Sequence, residues 1–201
     1  VIALAVLAAV AFAGFVAWRG SRPLPQGPVD VEAGDRVSFP FRVGVAGSLG
    51  FITLNNAGTE TAVLESARPV GVEPGLKVVR VYAAGDTRSM GGYCCTAMWP
   101  PSKEVEKVAF RMSDLREVRG TLVRPDRDTP ENRAYGAAIV VIVRADRPGD
   151  FAFRGVEVRY RIGDRHYRRV VTNAFTMCVS RDGRRRCDPK PGYTLEEAAK
   201  L

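Results

Sequence analysis

The tightest constraint in this sequence is a period of two. Val156, Val158, Tyr160 and Ile162 alternate with Glu157, Arg159 and Arg161, Gly163-Asp164 interrupts, and the chain returns through Tyr167, Val170 and Val171 towards Phe175. Alternation sends one set of side chains to a buried face and the other to water, and a Gly-first pair suits a two-residue turn. The stretch Val156–Met177 therefore predicts a long antiparallel hairpin. The same rhythm recurs upstream. Val37, Phe39, Phe41, Val43 and Val45 alternate with Ser38, Pro40, Arg42 and Gly44, and Pro40 predicts an edge strand because it has no N–H to donate.

Further strands are predicted at Gly50–Leu54, ahead of the turn cluster Asn55-Asn56-Ala57-Gly58, and at Thr61–Glu65 and Leu76–Tyr82. Ala137–Val143 is continuously apolar and predicts a central strand, buried on both faces. Ala83–Lys103 reads as a long Gly/Pro loop containing Trp99-Pro100-Pro101. Ser113–Arg133 reads as a charged connection with one short strand at Gly120–Val123. Thr194 and Glu197 have the spacing of a capping box for a short helix over Thr194–Leu201. Short strands at this spacing, with almost no 3.6-residue periodicity, predict an all-β, immunoglobulin-like antiparallel β-sandwich.

One segment breaks the rhythm. Val1–Trp18 contains no charge and a single residue outside the hydrophobic set, Gly14. As a helix it would span about 27 Å, close to the hydrocarbon thickness of a bilayer. Trp18, Arg19 and Arg22 then provide an interfacial boundary. The run exceeds the apolar core of a cleavable signal peptide, so the expectation is one N-terminal transmembrane helix kept as an anchor. Without this run the apolar share falls from 46% to about 41%, an ordinary value for a soluble body. The expected divisions are an anchor over 1–20, a Pro-rich spacer over 21–30, the sandwich over 31–180, and a basic loop with a short helix over 181–201.

The stretch from Leu64 to Met177 resembles a family of single-span, membrane-anchored proteins of high-GC Gram-positive bacteria that carry an immunoglobulin-like domain. The resemblance lies in Leu64-Glu65-Ser66-Ala67 before Gly75-Leu76-Lys77-Val78, in Trp99-Pro100-Pro101, and in Gly155-Val156-Glu157-Val158-Arg159-Tyr160-Arg161 leading to Tyr167 and Thr172-Asn173. It covers a little over half the chain. It implies the fold and the anchor and carries no activity.

The four cysteines are Cys94, Cys95, Cys178 and Cys187. An even count in an exported β-domain points to disulfides and to an extracytoplasmic location. The preferred pairing joins Cys94 and Cys95 to Cys178 and Cys187; a local Cys178–Cys187 bridge is the alternative. A second reading is a soft-metal site for Cu(I) built from Met90, Cys94, Cys95 and Met98, with Met177 and Cys178 nearby. Against it stands the lack of any Cys-x-x-Cys or Met-rich repeat, so no metal or cofactor is expected.

Catalytic motifs are missing too. There is no Gly-x-Ser-x-Gly motif to accompany the single histidine, His166, and Met90-Gly91-Gly92 lacks the Lys-Ser/Thr of a phosphate-binding loop. The chain is therefore not expected to be an enzyme.

The net charge of +8 concentrates in two places. Arg181, Arg184, Arg185 and Arg186 form a loop between Cys178 and Cys187. Arg159, Arg161, Arg165, Arg168 and Arg169 form a stripe along the hairpin with no evident acidic counterpart. No aromatic residue interleaves the arginines of the Arg181–Arg186 loop, and a membrane anchor argues against nucleic acid as a partner, so none is expected. The first expectation is an accessory or scaffolding subunit of a larger membrane complex. It would be a single-pass protein of the cell membrane with an extracytoplasmic C-terminal domain, and its arginines would contact other membrane protein subunits or the acidic lipid headgroups of the bilayer. The alternatives are a copper- or thiol-handling envelope protein and a free-standing cell-envelope binding domain.

Overall fold

The computed structural model describes residues 24–30, 36–85, 96–103, 106, 112–126 and 136–201. Within them the chain runs β1 (Val29–Asp30), β2 (Arg36–Arg42), β3 (Ala46–Asn56), β4 (Ala62–Val70), β5 (Leu76–Gly85), β6 (Thr96–Met98) and β7 (Leu115–Arg116). It continues through β8 (Leu122–Val123), β9 (Ala137–Ala145), β10 (Gly149–Phe153), β11 (Gly155–Ile162), β12 (Arg165–Val171) and β13 (Ala174–Ser180), and then α1 (Leu195–Ala199). The all-β expectation holds. Among the described residues no helix is long and apolar enough to cross a membrane. Val1–Trp18 lies outside them, as do Arg19 and Arg22.

One layer is a sheet in the order β1-β3-β9-β5-β7, with β6 added along β3. Its centre is β9, where the sequence is continuously apolar. Ile139, Val141 and Val143 face the main core, while Ala138, Val140 and Ile142 face a second cluster capped by Tyr82, Trp99 and Leu115. A strand covered on both sides has no solvent-facing set to alternate with. Trp99 stacks on Tyr82 at 5.7 Å, and its N–H bonds the Ala46 carbonyl at 2.8 Å. The region expected to be a long loop, Ala83–Lys103, therefore begins in β5, which runs on to Gly85, and contains β6 before Trp99.

The opposite layer consists of two sheets, β10-β13-β2 and β12-β11-β4-β8. The predicted hairpin passes through both. Val156 pairs with Val171 and Ile162 with Arg165 around Gly163, whose φ is +55°, and the same two chains continue as β10 and β13, pairing Phe153 with Phe175. The switch occurs at Arg154 on one chain and Thr172–Asn173 on the other. Phe39, Phe41 and Phe153 surround Phe175 at ring distances of 5.8 to 6.4 Å. Burying such side chains contributes roughly 1.5–3 kcal/mol each. Strand β2 is an edge, as Pro40 implies, and it pairs with β13 in parallel.

Two segments expected as appendages belong to the body. The described part of the Pro-rich stretch, from Leu24, lies against β12. The Arg168 N–H bonds the Pro25 carbonyl at 2.9 Å. The buried Tyr160 hydroxyl donates to the Gln26 carbonyl at 2.6 Å and accepts from the Val29 N–H at 3.0 Å. Gly27, at φ +63°, sits so close that a Cβ would fall 2.4 Å from both the Tyr160 hydroxyl and the Tyr167 ring. Such an approach admits only glycine.

The C-terminal tail is strapped across the switch between the two sheets. Arg154 lies over the Tyr193 ring at 4.2 Å, and the Tyr193 N–H bonds the Arg154 carbonyl at 3.1 Å. Lys190 donates its backbone N–H to the buried Thr176 hydroxyl at 2.8 Å and its ammonium to Glu73 at 2.6 Å. The expected capping box is present: Thr194 and Glu197 exchange hydrogen bonds at the start of α1.

Candidate functional site: two arginine-bearing surfaces

The outer face of the β12-β11-β4 sheet is built by alternation. Val156, Val158 and Tyr160 point into the core, which turns Glu157, Arg159 and Arg161 outward. Register sets Arg68 opposite Glu157 and Arg168 opposite Arg159. Three guanidiniums thus surround one carboxylate. Arg68 makes a two-pronged contact with Glu157 at 3.0 and 3.2 Å, Arg159 Nε donates to the same carboxylate at 3.0 Å, and Arg168 Nε donates at 2.7 Å.

The Glu157 side chain is only 2% exposed, whereas those of Arg68 and Arg159 are 64% and 46% exposed. Burial pushes the Glu157 carboxyl up, but hydrogen bonds from Arg68 and Arg168 and their charges outweigh it and hold the pKa at about 2. One buried anion therefore fixes three cations, and the surface carries the surplus.

Here the structure corrects the reading of the stripe as unmatched charge. Arg159 and Arg168 share Glu157 with Arg68, and Arg169 bonds Asp30 at 2.7 Å and Gln26 at 2.8 Å. Arg161 reaches back to the Gly163 carbonyl at 3.2 Å. A bulge between β4 and β11 makes Glu65 an extra residue, and its carboxylate meets His166 Nδ1 at 3.0 Å. Glu157 and Arg68 were not anticipated as site residues. The available signal was the lone acid in the alternating row Glu157, Arg159, Arg161, which had to face outward among cations.

The second surface is the loop after β13. Cys178 and Cys187 are bridged to each other, with Cα atoms 5.7 Å apart. This is the local alternative, and it excludes the preferred pairing with Cys94 and Cys95, which lie outside the described residues. The local bridge prevails because the chain reverses within nine residues at Asp182-Gly183. Ser180 Oγ donates to Asp182 at 2.7 Å, the Arg184 N–H donates to the same oxygen at 3.2 Å, and Gly183 takes φ +71°. Those bonds hold the Asp182 carboxyl below its ordinary range.

The four loop arginines are not equivalent. Arg185 is locked onto Asp150 by two 2.8 Å bonds, which lower the Asp150 carboxyl pKa. Arg181, Arg184 and Arg186 remain exposed.

No metal ligand set emerges from the described sulfurs. Asp150, Cys178 and Cys187 have donor atoms within 4.8 Å of one another, but the two sulfurs are spent on the disulfide and the carboxylate on Arg185. Met177 is fully buried beside Phe175, and Met98 is exposed. Met90 lies outside the described residues, with Cys94 and Cys95.

No protein-family model matches the chain, and no curated protein does. Among solved structures it is similar to the ASH/PapD-like domain of human CEP192 (PapD-like domain 7), at 13% identity over 80% of this chain and 89% of that one, with a TM-score of 0.37. It is also similar to the Vibrio cholerae VesB protease, at 8% identity over 83% of this chain and 35% of that chain, again with a TM-score of 0.37. At such scores neither neighbour lends this chain an activity or a partner.

Proposed function

We propose that this chain is a non-catalytic, single-span protein of the cell membrane whose immunoglobulin-like β-domain sits outside the cytoplasm and docks another subunit of a membrane complex. The observation that carries this reading is the arginine cluster built on Glu157. A buried acid orients Arg68, Arg159 and Arg168, and two of the three remain open to a partner. Holding the guanidiniums in place lowers the ordering cost of binding, so an acidic partner surface meets donors already positioned. The apolar run Val1–Trp18 supports an anchor, and the Cys178–Cys187 bridge suits an oxidising compartment. The resemblance to anchored proteins of high-GC Gram-positive bacteria agrees with both.

The test is purification of the full chain from its own membranes in mild detergent, beside an Arg68→Gln/Arg159→Gln variant. The expected result is a stoichiometric membrane-protein partner that the variant loses while its circular dichroism still reports the folded β-domain at the temperature of purification. A monodisperse monomer, or a partner retained equally by the variant, overturns the proposal.

A further inference from the structure

A cleft of about 490 Å³ opens between β7 and β8, within the segment read from sequence as a charged connection with one short strand at Gly120–Val123. Arg116, Arg119 and Arg124 line it. None of the three makes an ion pair among the described residues, in contrast to Arg68, Arg154, Arg168, Arg169 and Arg185. The one acid in the lining, Glu117, is paired with Arg80, which is not a lining residue, at 3.5 Å.

The turn that carries these groups is fixed. The Leu64 N–H bonds the Thr121 carbonyl and the Gly120 N–H bonds the Leu64 carbonyl, each at 2.8 Å, and Thr121 Oγ1 bonds the Glu117 carbonyl at 3.0 Å. Val118, Thr121 and Val123 are buried beneath it. Gly120 takes φ +87° with nothing within 4 Å of a Cβ, so the turn is shaped by backbone conformation and the cleft above stays open. Leu122, 48% exposed, adds an apolar wall.

Three cations line one cleft with no ion-pair partner among the described residues, and an anion entering it would meet attraction from all three. Guanidiniums match phosphate oxygens with paired N–H donors. We propose that this cleft binds a phosphate-bearing ligand of two or more negative charges, with Arg116, Arg119 and Arg124 on its oxygens and Leu122 against its organic part. The site is separate from the Glu157 cluster, and its occupancy does not depend on the docking role.

The same phosphate chemistry comes from a soluble phosphate or from a lipid headgroup, and two probes separate them. The full chain in an uncharged detergent is titrated calorimetrically with inorganic pyrophosphate and, separately, with monomeric dihexanoyl phosphatidic acid. Arg119→Gln/Arg124→Gln is expected to weaken binding about tenfold or more, while Arg68→Gln/Arg159→Gln changes it less than about twofold. Pyrophosphate binding with this pattern assigns a soluble ligand, and phosphatidic acid binding alone with this pattern assigns a headgroup. The proposal is overturned if neither probe binds at millimolar concentration, if the cleft variant binds as well as the parent, or if the Glu157-cluster variant loses as much.

Discussion

Glu157 shows how much one residue can organise. Its carboxyl titrates near 2 in the folded chain against an ordinary 4.5. A depressed carboxyl stabilises the fold fully above pH 4.5, and that contribution fades as pH falls towards 2. The difference corresponds to about 3 kcal/mol at neutral pH. Urea melts at stepped pH should show this loss, and Glu157→Gln should be less stable by a similar amount at pH 7 and nearly equal to the parent at pH 2. An equal gap at both pH values would separate the effect from Glu157 ionisation. Tyr160 gives a second test at this scale. Tyr160→Phe leaves the Val29 N–H and the Gln26 carbonyl without their shared partner, at a cost of about 1–3 kcal/mol. Hydrogen exchange at residues 25–30 should accelerate in that variant.

At the scale of elements, patterning made the strands legible and left their partners hidden. The Val156–Met177 hairpin, the edge at Pro40, the central run at Ala137–Val143 and the Thr194 capping box all follow from local rules, and the structure contains each one. Asn56 does not follow. It looks like a turn residue, yet it ends β3 fully buried, with its amide donating to the Glu60 and Val123 carbonyls at 2.8 and 2.9 Å. Polarity in the sequence signals water, and only tertiary contacts reveal a satisfied polar group inside. The arginine cluster was half legible for the same reason: alternation placed Arg159 and Arg161, but Arg68 comes from β4, 89 residues before Glu157.

The Cys178–Cys187 bridge also belongs to this scale. Closing a loop of this size stabilises the fold by about 2.5 kcal/mol in the chain-entropy model. Cys178→Ala/Cys187→Ala should lower the melting temperature accordingly. The Arg185–Asp150 pair and the Lys190 contacts should persist, because they engage the body independently. Resonances of residues 188–193 keeping their native positions in the variant would bear this out.

For the whole molecule, an early strand meets the last one. Strand β2 lies along β13 in parallel register, Val37 opposite Phe175 and Phe41 opposite Val179, so residues far apart in sequence complete one sheet. A parallel neighbour cannot be supplied by a hairpin and must be brought in from a distance. During synthesis β2 has no partner until almost the entire chain has emerged, and the aromatic side chains of Phe39 and Phe41 wait with it. Chains halted before residue 174 should therefore stay sensitive to protease across residues 36–42, and protection there should arrive late and abruptly. The β2–β13 seam thus ties the burial of an early strand to the making of the last one, since it can close only when residues 174–180 are available.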